Sequence, residues 1–149
     1  MQRLVTVAAR CLVAGSILLI AAGCGGEGQE TAVDRGDQLL AAGHTEAAVA
    51  EYKLALRQLG QQPEILLRLG HAYAARGDVD ASLEYLGPLL ESGPEFQFQV
   101  AAELSEAGRV ARERGSPDNM ARAMEPVLSL GIGMVPEDLR YPLAAYYAE

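Results

Sequence analysis

Apolar residues recur along this chain at intervals of three and four, not in alternation. Leu66, Leu69 and Tyr73 fall on one helical face, as do Leu83, Leu86 and Leu90 further on. That spacing predicts amphipathic helices, because residues three and four apart lie one above another on an α-helix. Phe96, Val100, Leu104, Ala107 and Ala111 continue the pattern as one longer stripe, and Asp118 to Leu130 predicts the helix after it. Residues 136–149 form one last expected helix, in which Tyr141, Tyr146 and Tyr147 are expected to cover an open apolar end. Pro88 and Pro126 fall late in two helices. An interior proline costs about 3 kcal/mol or more, so each predicts a kink or a late helix start.

The pattern repeats. Gly36 and Gly70 are 34 residues apart, as are Gly43 and Gly77, and the same offset pairs Ala47 with Ala81, Ala48 with Ser82 and Tyr52 with Leu86. Gly108 and Gly115 lie 38 residues beyond Gly70 and Gly77, and Gly87-Pro88-Leu89-Leu90 returns as Glu125-Pro126-Val127-Leu128. Four extra residues make about one helical turn, so they can lengthen the third unit's first helix without rotating its buried face much. Each unit then holds two helices. Gly36 and Gly70, with Ala48 and Ser82 opposite, let the two helices of a pair approach closely. Gly43 and Gly77 suit a helix C-terminus in the left-handed conformation.

Within 63–94, Leu66, Leu69, Gly70, Tyr73, Gly77, Ser82, Leu86 and Pro94 fall at the spacing of the tetratricopeptide repeat, which this chain resembles. The first copy keeps Gly36, Leu39, Gly43, Ala48, Tyr52 and Ala55, and departs from that pattern at Ala32, Arg35 and Gly60. In the third copy Met120 and Met124 stand where the family has a small residue and an aromatic one. The resemblance implies an all-α superhelix of αα-hairpins with repeats over about 29–62, 63–96 and 97–132 and a capping helix over 136–149. It also implies a concave groove lined by the first helix of each repeat, which binds another protein or a peptide segment. Carried over by position, the groove residues are Val33, Asp37, Leu40, Leu67, His71 and Ala74, then Ser105, Arg109 and Arg112. Arg109 and Arg112 are expected either to pair an acidic group of the partner or simply to be solvated. The Lys and Asn set with which some tetratricopeptide domains clamp a terminal carboxylate is missing, so that activity is not implied.

The N-terminus has a different organisation. Arg3 and Arg10 precede the apolar run Cys11 to Ile20, which closes on Ala21-Ala22-Gly23-Cys24. A charged region, an apolar region and small residues in that order are the layout of a secretory signal, expected here as a signal helix over 1–23. Ala21-Ala22-Gly23-Cys24 resembles the lipobox of bacterial lipoproteins, with Ala21 where Leu is commonest. The resemblance implies lipid on Cys24, cleavage before it, and a lipid-anchored envelope protein. With Gly25 following the cysteine, it implies the outer membrane, facing the periplasm. Ordinary signal-peptidase cleavage with full secretion is the other outcome. An uncleaved span is disfavoured, because only 16 uncharged residues separate Arg10 from Glu27, four of them Gly, against the roughly 20 apolar residues a spanning helix needs. Residues 24–30 form a Gly-rich polar tether.

Composition narrows the chemistry. The chain is 50% apolar, which argues against global disorder, and carries 12 Lys/Arg against 20 Asp/Glu. Loss of residues 1–23 removes two arginines and no acid. A chain this acidic has no general affinity for nucleic acid. His44 is expected in a turn and His71 on a first helix, with no second ligand a helical turn away. Ser82 has no neighbouring histidine and fills a small-residue slot. Asp78 and Asp80 suit a helix start, where carboxylates cap free N–H groups. The sequence therefore predicts neither an enzyme nor a cofactor or metal protein. It predicts a scaffold or assembly factor, or else an envelope receptor holding a peptide or small ligand in its groove.

Overall fold

The computed structural model describes residues 31–148. The signal helix, Cys24 and the tether lie outside them. Seven α-helices follow in order: α1 (Ala32–Ala41), α2 (Thr45–Leu59), α3 (Pro63–Ala75), α4 (Val79–Ser92), α5 (Gln97–Glu113), α6 (Pro117–Ser129) and α7 (Glu137–Tyr146). Among the described residues there is no strand. α1 packs on α2, α3 on α4 and α5 on α6 as antiparallel hairpins, and α2, α3, α4 and α5 join one hairpin to the next. The architecture is the expected superhelix of αα-hairpins.

The helix ends follow from the backbone chemistry of a few residues. Thr31 accepts from the Asp34 N–H, and the Asp34 carboxylate accepts from the Thr31 N–H, a reciprocal cap that satisfies two otherwise free donors of α1. Pro63 and Pro117 open α3 and α6, where a missing N–H does no harm. Asp78 caps α4 by accepting from the Ala81 N–H. α1, α3 and α5 end in one motif. Gly43, Gly77 and Gly115 take φ of 80°, 66° and 69°. The residues after them donate back to Leu39, Tyr73 and Ala111 at 2.8, 3.0 and 2.9 Å. A side chain at such a φ is strained, so the glycine period marks the hairpin turns.

Close approach explains the other glycines. A Cβ on Gly36 would collide with the Tyr52 ring, and one on Gly70 with the Leu86 side chain. Tyr52 and Leu86 are fully buried in those gaps. In the third hairpin Met124 occupies the equivalent place, 3.3 Å from where a Gly108 Cβ would stand. A flexible thioether fills an irregular gap without demanding so tight a fit, which accounts for the relaxed pattern of that copy.

The extra residues of the third unit are where the 38-residue offset puts them. α5 has 17 residues against 13 in α3. Val100, Leu104, Ala107 and Ala111 are buried along it. Phe96 is not part of that helix, however; it belongs to the 3₁₀ turn Pro94–Phe96. Pro88 and Pro126 do not delay their helices, since α4 and α6 begin at their caps and run through both prolines. Glu84 and Arg122, whose carbonyls each proline leaves without an N–H partner, are exposed, so water can take the N–H group's place.

α7 covers the last hairpin chiefly with its leucines, and of the three tyrosines only Tyr146 takes part. Leu139 and Leu143 are 0% and 3% exposed and join Val135 in the core, while Tyr141 and Tyr147 are 82% and 59% exposed. Tyr146 packs at the edge of the core and donates to Asp118 at 3.0 Å. Leucines four apart face the core once per turn, and Tyr141 lies between them on the opposite side.

Candidate functional site: a groove along the first helices

α1, α3 and the start of α5, the first helices of the three hairpins, enclose an open groove of about 520 Å³. Leu40, Leu67 and Phe96 give it apolar surface, and Asp37, Glu64, Arg68, His71, Gln99 and Glu103 give it polar surface, with the Tyr52 side chain reaching in from α2. Four of the residues expected from sequence, Asp37, Leu40, Leu67 and His71, meet here. Val33 does not line the groove; it packs against the core between α1 and α2. Ala74 is fully buried. Ser105 is buried too and donates to the Ala101 carbonyl at 2.6 Å.

Three of the expected residues hold the scaffold together. Asp37, His71 and Arg109 occupy equivalent places in successive first helices, and each reaches forward to the next one. Arg68 Nε donates to Asp37 at 2.8 Å, linking α3 to α1. His71 Nδ1 and Glu103 Oε2 are 2.7 Å apart, linking α3 to α5. Arg109 Nε donates to Asp138 at 2.9 Å, linking α5 to α7. The result is a ladder of three side-chain links along the inner face, of which the Asp37 and Arg109 rungs are ion pairs. Arg112 completes the last rung by donating to the Asp138 carbonyl at 2.8 Å. The expectation that Arg109 and Arg112 stand ready for a partner's acidic group is therefore corrected. Asp138 and Glu106 of this chain already engage Arg109. Arg109 also lies outside the groove, in a smaller pocket with Phe98, Met134 and Pro136.

The rungs shift the acidity of Asp37 and His71 in opposite directions. Burial pushes the Asp37 carboxyl up, but hydrogen bonds from Arg68 and Tyr52 outweigh it, and the net shift is downward. Tyr52, which donates to Asp37 at 2.7 Å, is held above the ordinary phenol range by burial and by that carboxylate. The hydrogen bond to Glu103 raises His71, against the smaller cost of desolvation, and the charge of Glu106 adds to the rise.

His71 therefore binds its proton more tightly folded than unfolded. Its contribution to stability is complete below the unfolded value of about 6.5 and is lost as pH rises through the raised folded value. The pair is half-exposed, so the effect is expected to stay below about 1 kcal/mol. Urea denaturation from pH 5 to 9 should show this loss in the native chain and not in Glu103→Gln. Parallel pH profiles for the two would contradict it.

Glu64, Arg68, Phe96, Gln99 and Glu103 were not expected in the groove. The signal for two of them was present, since Arg68 and Glu103 follow Asp37 and His71 by 31 and 32 residues. Opposite charges at nearly one repeat length are what a bridge between successive first helices requires.

Fold and groove together define a stack of helical hairpins with an open groove along its first helices. Residues 39–105 match the family model of the tetratricopeptide repeat, and over that span the chain is tetratricopeptide repeat, a fold that typically serves protein–protein interaction without catalysis. The match runs from late α1 into α5. No curated protein and no solved structure matches the chain. No helix among the described residues is long and apolar enough to cross a membrane.

Proposed function

We propose that this protein is a lipid-anchored scaffold of the bacterial cell envelope, non-catalytic, whose groove holds a segment of another protein during an assembly process. The observation that carries the reading is the groove itself, an open, part-apolar channel along α1, α3 and α5. A channel open along three helices suits an extended or helical segment better than a small ligand, which needs enclosure on most sides. That favours the scaffold over an envelope receptor for a small molecule.

The anchor rests on sequence. Ala21-Ala22-Gly23-Cys24 and the Gly-rich residues behind it support lipid on Cys24 and a short tether to the helical domain. Gly25 supports the outer membrane, with the groove facing the periplasm. Two or more acyl chains, at about 0.8 kcal/mol per buried CH₂, make such an anchor stable. Membrane fractionation and intact-mass measurement test it. The native chain should begin at Cys24, carry added acyl mass and sediment with membranes, and Cys24→Ser should lose both the added mass and the sedimentation. A native chain that still begins at Met1 would overturn the anchor.

A further inference from the structure

We propose that the groove selects a segment carrying apolar side chains together with lysine or arginine, and disfavours an acidic one. This rests on the groove being the partner-binding surface and adds the chemistry of what it takes. Leu40 and Leu67 are half-buried along it, and Phe96 joins them from the 3₁₀ turn. They supply contact area but no preference of charge. The preference comes from three carboxylates, those of Asp37, Glu64 and Glu103, set against one guanidinium and one imidazole.

Arg68 Nε donates to both Asp37 carboxylate oxygens, at 2.8 and 3.2 Å, and its Nη1 donates to the Glu64 carbonyl at 3.2 Å. Glu103 engages His71 through Oε2. Glu64 is exposed, and its carboxylate, with no hydrogen bond or ion pair at contact distance among the described residues, interacts with Arg68 through charge alone. The groove is thus net negative whichever way His71 is protonated. The arginines best placed to attract an acidic segment further along the stack are held by α7 through Asp138. Lysine and arginine meet both demands of the surface, because the methylene stem covers apolar atoms while the charged head reaches a carboxylate. An acidic segment would bring like charge against like, which costs affinity and slows encounter.

The test uses the full chain in detergent and three twelve-residue peptides, leucine alternating with lysine, with glutamate or with serine. Affinity is read by anisotropy, and the site by resonance shifts at Leu67 and His71. Two variants with the same change in net charge separate the groove from the overall field: Glu64→Lys, in the groove, and Glu84→Lys, exposed on α4. The lysine peptide is expected to bind at least about tenfold more tightly than the glutamate peptide and to shift both resonances. Glu64→Lys should weaken it about three- to tenfold, and Glu84→Lys by less than about twofold. Equal weakening by the two variants would overturn the proposal in favour of general electrostatic attraction. If the serine or glutamate peptide binds as well while Leu67 shifts, the charge preference falls and the groove stands. If no peptide moves Leu67 or His71, the groove reading falls with it.

Discussion

Leu139→Ala is expected to destabilise the protein by about 2–5 kcal/mol, the usual range for removing a fully buried leucine from a core that cannot collapse around the gap. Leu139 is fully buried, and it lies against the third hairpin, near Gly108. In a stack of repeats each hairpin contacts only its neighbours, so weakening the cap leaves the apolar face of the third hairpin open to water. Adding Leu143→Ala should deepen the loss, though by less than its own single effect, because the two leucines are one turn apart and share their surroundings. Tyr141→Ala and Tyr147→Ala are expected to stay within about 0.5 kcal/mol, since both side chains are mostly in solvent. Urea midpoints for these variants and for Leu143→Ala alone check this. If the tyrosine variants proved the costly ones, the packing of α7 described here would be wrong.

The second large effect lies inside the second hairpin. Leu86 is fully buried in the space that Gly70 leaves, so Leu86→Ala should also cost about 2–5 kcal/mol. Gly70→Ala opposes two terms. Alanine is the better helix former by about 1 kcal/mol, but its Cβ collides with Leu86, and overpacking costs about 1–3 kcal/mol. A net loss is expected, smaller than that of Leu86→Ala.

These two variants show what could be read from the chain beforehand. Gly36, Gly43, Gly70 and Gly77 announce the hairpins because glycine at those places answers to backbone geometry and steric contact, which act locally and leave a fixed period. The longer α5 was legible for the same reason, as a shift of 34 to 38 in the period. The groove was legible only in part. Asp37, Leu40, Leu67 and His71 line it because they sit on the inner face of first helices, which periodicity determines. What Asp37, His71 and Arg109 bond to depends on side chains about thirty residues away, which opposite charge at nearly one repeat length marks and no local pattern does. Tyr141 and Tyr147 misled because aromatic bulk suggested a cap, whereas helical phase puts Leu139 and Leu143 toward the core. Of the two outcomes expected at Pro88 and Pro126, the late helix start is not found, since a lost hydrogen bond on an exposed face costs less than one in a core.

Hairpins closed by glycine against a large buried side chain set the first helices side by side and leave the groove along them. The double-mutant cycle of Gly70→Ala and Leu86→Ala measures that contact directly. Helix propensity enters both legs of the cycle equally and cancels. With Leu86 present, Gly70→Ala should destabilise; with Leu86→Ala already made, it should become neutral or stabilising, a coupling above about 1 kcal/mol. Additivity within about 0.5 kcal/mol would mean that Gly70 and Leu86 do not share the space described, and would contradict the packing on which the groove depends.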